Sequence, residues 1–201
     1  VSLIWYLENT FYPAAGRIIG FLKNNFDAVL NPNNPIIKMG FWPGGDRDGN
    51  PFVNAATSLQ VAHALRGSAI KCYYLDVRKL KRRLTFKGVD VALTQLEKKL
   101  YDNLFIPGRL CDISKQEILT SLQNIRHQLV YDHNSLFVSQ VDALINKIEV
   151  FGLYFASLDI RQDSSIHTKT IQTLAANSVG LSKDYMDYSD SQKIEALTQL
   201  T

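Results

Sequence analysis

Eleven residues, Phe41-Trp42-Pro43-Gly44-Gly45-Asp46-Arg47-Asp48-Gly49-Asn50-Pro51, bring three glycines, two prolines, two carboxylates, an arginine and a tryptophan into one stretch. Glycine admits positive φ and close backbone approach. Proline fixes φ on either side. Amides between Gly44 and Gly49 could then line an anion-binding concavity. A second dense stretch, Leu158-Asp159-Ile160-Arg161-Gln162-Asp163, lies more than a hundred residues downstream. We expect the two to meet at one site, with helices between them. An arginine on the polar side of an apolar strand needs a carboxylate or phosphate partner wherever it is buried. Arg161 therefore reads in two ways: as an ion pair with Asp159 or Asp46, or as an anion clamp at a strand's C-terminal end.

Other chemistries fail on spacing. Counted from Asp46 as a calcium loop, Gly49 is fourth, Pro51 sixth and Thr57 twelfth, whereas that loop needs glycine sixth and glutamate twelfth. No Gly-Lys-Ser/Thr follows the glycines, and no GxGxxG is present, which removes the common nucleotide loops. The four histidines, His63, His127, His133 and His167, show neither HExxH nor another paired metal spacing. They read as surface or core histidines, with His167 notable for following Arg161 by one turn of a helix. No Gly-x-Ser-x-Gly elbow or Cys/His pairing marks a nucleophile.

The elements that must position these residues are mostly helical. Residues 2–29 carry Leu3, Tyr6, Leu7, Ile18, Ile19, Leu22 and Phe26 at helical spacing. Pro13 should kink or divide that helix, and Asn31-Pro32-Asn33-Asn34-Pro35 should end it. Ile36 to Trp42 reads as a short apolar strand of the kind a buried parallel sheet uses. A long helix follows from Asn54 or Ala55 to about Leu84, with Leu59, Ala62, Leu65, Ala69, Cys72 and Leu80 at helical spacing. Lys87-Gly88 should bend the chain before a helix over 89–105, carrying Val91, Leu93, Leu96, Leu100 and Leu104, that ends at Ile106-Pro107-Gly108. Ser114 with Glu117 spells a capping box for a helix carrying Ile118, Leu122, Ile125 and Leu129. Asp132 to Ser135 is a turn, and Val141, Leu144, Ile145 and Ile148 mark the next helix. From Gly152 to Arg161 the period shortens, with Leu158 and Ile160 alternating against Asp159 and Arg161 as in a half-buried strand. Ser164 or Ser165 should cap a helix running to about Asn177, Gly180 should close it, and Ser189 or Asp190 should cap the last one.

The fold class is therefore mostly α, with long helices and two short strands. Each strand ends in a polar sequence and precedes a helix, which is a βα arrangement, and β/α barrels carry their chemistry at strand C-termini. Two strands cannot close a barrel, so the remainder of any barrel belongs outside this chain. The chain opens and closes inside helical patterns, and we expect a piece of something longer.

Composition narrows the function classes. The 201 residues are 46% hydrophobic and 20% charged, with a net charge of +3. That is a globular balance, without the clustered basic excess of a nucleic-acid binder. No apolar run is long enough to span a membrane, and no signal-peptide pattern opens the chain. Cys72 and Cys111 stand in unrelated contexts and read as reduced, buried thiols, which favours a cytosolic origin. Arg78, Lys79, Lys81, Arg82 and Arg83 cluster at one helix end, where cations complement the macrodipole. They read as a solvated face, with a patch for phosphate or an acidic partner as the other option.

Taken together, Phe41–Pro51, Leu158–Ser164, His167-Thr168 and the earlier Glu8-Asn9-Thr10 resemble phosphoenolpyruvate carboxylase in order and approximate spacing, over essentially the whole chain. The resemblance implies that residues 1–201 are a single fragment of a larger catalytic domain, itself a mostly helical β/α-barrel enzyme. Such an enzyme is a cytoplasmic homotetramer and a carbon–carbon lyase using Mg²⁺ or Mn²⁺, with no nucleic acid or membrane partner. It converts phosphoenolpyruvate and bicarbonate to oxaloacetate and phosphate, an anaplerotic, carbon-dioxide-fixing step feeding the tricarboxylic acid cycle. By position, Arg161 resembles the arginine holding the substrate phosphate, and Trp42 the tryptophan walling the bicarbonate/CO₂ pocket. Gly44, Gly45, Asp46, Arg47, Asp48, Gly49 and Asn50 resemble the loop framing the barrel mouth. Pro43 stands where a flexible apolar side chain is expected, and Phe52 where a polar one is more usual. The family's histidine motif belongs upstream, and its metal-binding carboxylates and catalytic lysine downstream. No catalytic residue, bound metal or independent activity is thus expected of the fragment. The rival expectation is a stand-alone helical scaffold that binds an acidic partner or a sugar phosphate through residues 78–83.

Overall fold

The computed structural model describes residues 2–26, 36–106, 113–177 and 180–199. The predicted Asn31–Pro35 break, the Pro107-Gly108 stop and Cys111 lie outside them. The described residues are mostly helical and fall into two compact units, one within Val1–Phe41 and Ala56–Leu158, the other within Trp42–Ala55 and Asp159–Thr201.

The first unit opens with α1 (Ser2–Tyr6), a π-helical turn (Leu7–Phe11) and α2 (Tyr12–Asn25). The expected division at Pro13 takes the form of that π turn. Pro13 has no N–H to give to the fourth residue before it, and the Tyr12 N–H bonds to the Leu7 carbonyl, five residues back. This is the ladder of a π turn. Phe26 caps α2, so the helix stops short of the expected 29; residues 27–29 lie outside the described set. Leu3, Tyr6 and Ile18 of the predicted stripe are about half exposed, while Leu7, Tyr12, Ala15 and Ile19 face the core.

Helix α3 (Ala55–Arg83) supplies the centre of this unit, followed by α4 (Val89–Phe105), α5 (Lys115–Asp132) and α6 (Val138–Phe151). Leu93, Leu96 and Leu100 of α4 and Ile118, Leu122, Ile125 and Leu129 of α5 are buried almost completely, as is Tyr73 of α3. Each large aliphatic side chain removed from water contributes about 1.5–3 kcal/mol. Gly88 adopts φ +89° at the bend before α4, which a residue with a Cβ rarely does. Val91 is turned outward and Val89 is buried instead. Ser114 caps α5 by accepting the Glu117 N–H at 3.1 Å. The second half of the expected box is replaced, because the Glu117 carboxylate pairs with Lys99 of α4. Four members of the basic end of α3 find partners within the unit. Lys81 lies 2.6 Å and Arg78 3.5 Å from Glu97, Lys79 lies 2.9 Å from Asp76, and Arg83 donates to Gln140.

Strands β1 (Gly40–Phe41) and β2 (Ser157–Leu158) pair in parallel, Gly40 opposite Ser157 and Phe41 opposite Leu158. Both are shorter than the alternation suggested. Ile160, expected inward, is 59% exposed, because the chain has left the strand before reaching it.

The second unit carries α7 (Ser164–Ala176), a 3₁₀ turn (Lys183–Asp187) that the periodicity did not reveal, and α8 (Asp190–Thr198). Its small core is Ala175, Leu181 and Tyr185, with Ile171, Leu174, Met186, Tyr188 and Ala196 against them. Asp163, not Ser164 or Ser165, caps α7, accepting the Ser165 N–H at 2.8 Å. Helix α7 ends at Ala176 with Asn177 as its cap, and Gly180 takes a positive φ three residues later. Ser189 and Gln192 form a complete capping box for α8. No helix among the described residues is long and apolar enough to cross a membrane.

One polar network is set into the helical core of the first unit. The Tyr12 hydroxyl donates to Asp76 Oδ2 at 2.9 Å, Lys147 Nζ donates to the same oxygen at 2.8 Å, and Lys79 donates to Oδ1 at 2.9 Å. Lys147 also lies 4.5 Å from the Tyr12 ring centroid, a cation–π distance. Burial would raise the Asp76 carboxyl, but Lys147 and Lys79 together hold it below the usual carboxylate range. Beside it, burial pushes the Cys72 thiol up to about 12, so it stays protonated at neutral pH and inert.

Removing one partner of a largely buried ion pair strands the other. Asp76→Ala should therefore cost about 2–4 kcal/mol in urea unfolding. Because the folded carboxyl titrates below the unfolded one, its stabilisation is present above the ordinary Asp range and is lost as pH falls through the lowered value. The wild-type acid limb should show that loss, and the Asp76→Ala limb should lack it.

Candidate active site

The glycine-rich loop is built from its own backbone. The Gly45 N–H bonds to the Trp42 carbonyl at 2.8 Å, closing a turn in which Gly44 takes φ +87°. The Asn50 side chain accepts the Phe52 N–H at 3.0 Å, and its carbonyl accepts the Val53 N–H at 3.0 Å. This is the local bonding that suits asparagine to turns.

The same loop receives the downstream stretch. The Arg161 N–H donates to the Gly45 carbonyl at 2.8 Å, and the Arg47 N–H donates to the Arg161 carbonyl at 2.9 Å. Asp46 and Arg161 thereby form a parallel bridge. Gly45 is required there by proximity. A Cβ on it would stand 1.9 Å from the Asp159 carbonyl oxygen, a distance no side chain tolerates. The loop's tight turn at Gly44 and its close contact at Gly45 thus serve one purpose, which is to bring the residue-161 backbone alongside.

The side chains form an acid–acid–base row. Arg161 NH2 lies 4.0 Å from Asp48 Oδ2, the side chains being 57% and 39% exposed. A hydrogen bond with Asp48 pushes the Asp46 carboxyl up, reinforced by burial and by the neighbouring charge. Its partner moves oppositely: the hydrogen bond from Asp46 holds the Asp48 carboxyl down, burial opposes this, and Arg161 adds to the lowering. Asp46 Oδ1 is buried without a hydrogen-bond partner. Trp42 is 59% exposed.

One expectation changes here. The carboxylate beside Arg161 is Asp48, while Asp46 meets Arg161 through the backbone and Asp159 stays exposed. Part of the amide row from Gly44 to Gly49 is engaged within the loop itself. The amides of Gly45 and Arg47 are committed to backbone carbonyls, and that of Gly49 to a loop carboxylate. The guanidinium of Arg161 stays more than half exposed beside Asp48. Trp42, the Gly44–Asn50 loop and Arg161 all lie in one compact unit. His167 is exposed on α7, where its N–H bonds to the Asp163 carbonyl at 3.2 Å. The Asp163 cap was missed because two adjacent serines carried the more obvious signal. Aspartate and serine serve about equally well as N-caps, so the Asp-Ser-Ser order alone did not choose among the three.

A divalent cation is not accommodated by these residues. Mg²⁺ asks for several oxygen ligands in a near-octahedral set. The loop offers two carboxylates, and a guanidinium already stands beside that of Asp48. Among the described residues no group of three or more His, Cys, Asp or Glu could hold a metal.

Gly45→Ala should break the bridge and lower stability by about 1–3 kcal/mol, the usual cost of overpacking, with faster amide exchange at Arg161. Gly67→Ala is the control. Gly67 lies within α3 with open space around its Cβ position, and alanine there should stabilise by about 0.5–1 kcal/mol.

Comparison with known proteins identifies the family. The family model described as phosphoenolpyruvate carboxylase matches residues 5–106 and 110–201. The phosphoenolpyruvate carboxylase of Histophilus somni is 28% identical over 200 residues, covering 86% of this chain and 22% of that protein. The enzyme of the same name from Shewanella halifaxensis is 28% identical over 219 residues, covering 93% and 25%. That from Psychromonas ingrahamii is 26% identical over 227 residues, covering 96% and 25%. The chain spans about a quarter of the length of the curated relatives it matches. With nearly all of its residues matched by one family model, the chain belongs to the phosphoenolpyruvate carboxylase family.

Proposed function

We propose that residues 1–201 form the part of a phosphoenolpyruvate carboxylase catalytic domain that presents the substrate phosphate and bicarbonate with their contacts. The supporting observation is the backbone bridge between Gly45–Arg47 and Arg161, which places the tryptophan loop and the arginine in one unit. In the reaction, the phosphoryl group of phosphoenolpyruvate passes to an oxygen of bicarbonate, leaving the enolate of pyruvate. Loss of phosphate from the carboxyphosphate yields CO₂, and the enolate carbon attacks it to give oxaloacetate.

Arg161 is assigned to the phosphate. A guanidinium offers a planar fork of N–H donors matched to phosphate oxygens, and a fixed positive charge stabilises the transferring group without reorganisation. Trp42 is assigned to the wall of the bicarbonate/CO₂ pocket. An indole surface there keeps water from the enolate, which would otherwise be protonated. The Gly44–Asn50 loop holds both in register. The family's Mg²⁺ or Mn²⁺ belongs to residues elsewhere in the intact enzyme, since the carboxylates here do not fit it. The general acid–base groups, the barrel's remaining strands, the homotetramer and a cytoplasmic setting likewise belong to the intact enzyme. The rival scaffold reading gains no support, since Glu97, Asp76 and Gln140 engage four members of the basic run within the chain.

In the intact enzyme, Arg161→Ala should raise KM for phosphoenolpyruvate about ten- to a hundredfold, the cost of losing a charged hydrogen-bonding partner. Trp42→Ala should act mainly on KM for bicarbonate. Steady-state kinetics in which neither constant moves would remove these roles. The isolated chain should release no phosphate from phosphoenolpyruvate with bicarbonate and manganese, and turnover in that assay would contradict the assignment of a fragment.

A further inference from the structure

We propose that Asp48 is a positioning residue for Arg161, holding its guanidinium ready for the anionic group of the substrate. The inference deepens the reading of Arg161 given above and rests on it.

The backbone of Arg161 is fixed on both sides, by its N–H to Gly45 and its carbonyl from Arg47. Its side chain is not fixed in the same way. It is 57% exposed, and an arginine carries much rotamer freedom that binding must remove. The carboxylate of Asp48 is the ion-pair partner the structure gives it, at 4.0 Å. That distance is too long for a hydrogen bond, so the pair attracts without consuming a guanidinium N–H. The fork is drawn to one place while its donors stay available.

Asp48 is suited to this because it is itself held. It follows Arg47, whose N–H bonds to the Arg161 carbonyl at 2.9 Å, and Asp46, on the other side of Arg47, is one half of the bridge to Arg161. A Cβ at Gly49 would stand 3.0 Å from Asp46 Oδ2, so the glycine leaves that carboxylate room in the turn. The order of support runs from the bridge to the loop backbone at Asp46 and Arg47, from that backbone to Asp48, and from Asp48 to the guanidinium. The Asp-Arg-Asp-Gly order supplies all of it within four residues.

The sign of the effect separates this role from mere proximity. A carboxylate near an anion site repels the anion, so if Asp48 were only a neighbouring charge, removing it would tighten binding. If it positions Arg161, removing it weakens binding, because the substrate must then order the side chain at a cost of about one rotamer-rich residue.

The test uses the intact enzyme with Asp48→Asn, Asp48→Glu and Arg161→Ala, each checked for native circular dichroism, and Asp48→Ser as a second neutral variant. Asp48→Asn and Asp48→Ser should raise KM for phosphoenolpyruvate by about three- to tenfold, with kcat at saturation little changed. The inhibition constant of inorganic phosphate should rise in parallel. Asp48→Glu, which keeps the charge, should restore most of the loss. An unchanged or lowered KM in both neutral variants, with Arg161→Ala still impaired, overturns the positioning role and leaves the phosphate reading intact. An Arg161→Ala enzyme with unaltered KM overturns the phosphate reading and this inference with it.

Discussion

Two backbone hydrogen bonds, from Arg161 to Gly45 and from Arg47 to Arg161, carry most of what is distinctive about this chain. They join segments more than a hundred residues apart in the polypeptide. Closing so long a loop costs entropy, though the cost grows only slowly with length. Parallel pairing cannot be reached by a tight turn and needs a long crossover. In the helical unit the β1–β2 pairing closes the same crossover at Phe41 and Leu158. The crossover is filled by α3, α4, α5 and α6, whose buried leucines and isoleucines make the closure favourable.

The bridge dictates local chemistry. It demands a glycine at 45, where the Asp159 carbonyl leaves no room for a side chain, and a positive φ at 44. It commits amides that a looser loop would have left for an anion. In exchange it fixes Arg161 by its backbone and leaves the guanidinium outward, beside one carboxylate at ion-pair distance. In the function proposed above, the anion meets a side-chain fork whose backbone the bridge has already fixed. The burden of orientation then falls on the neighbouring side chains.

Much of this was legible in the residues. The helices stand close to where the 3.6-residue period put them, α3 and α4 within a residue at each end, because long amphipathic patterns with a single buried face leave little choice. The strands pair in parallel as expected, but the apolar run from Ile36 to Trp42, read as a buried strand, has both of its ends at least half exposed. The failures share a cause, which is that non-local geometry overrode local pattern. Ile160 alternates correctly with Asp159 and Arg161, yet it is exposed because the chain turns toward the loop before reaching it. Glu117 has the spacing of a capping box, but Lys99 of another helix draws its carboxylate away. Asp48 rather than Asp46 or Asp159 faces Arg161, since which of three nearby carboxylates does so depends on a turn that spacing alone does not specify. The π turn before Pro13 answers a missing N–H that the sequence announced, in a form it did not.

The central claim is that the glycine-rich loop and the Arg161 stretch are one hydrogen-bonded unit. The most direct measurement is scalar coupling across hydrogen bonds by NMR, between the Arg161 amide nitrogen and the Gly45 carbonyl carbon, and between the Arg47 amide nitrogen and the Arg161 carbonyl carbon. Both couplings should be observed, with both amides protected from solvent exchange. Absent couplings, together with exchange of both amides at the rate of an unstructured loop, would contradict the account.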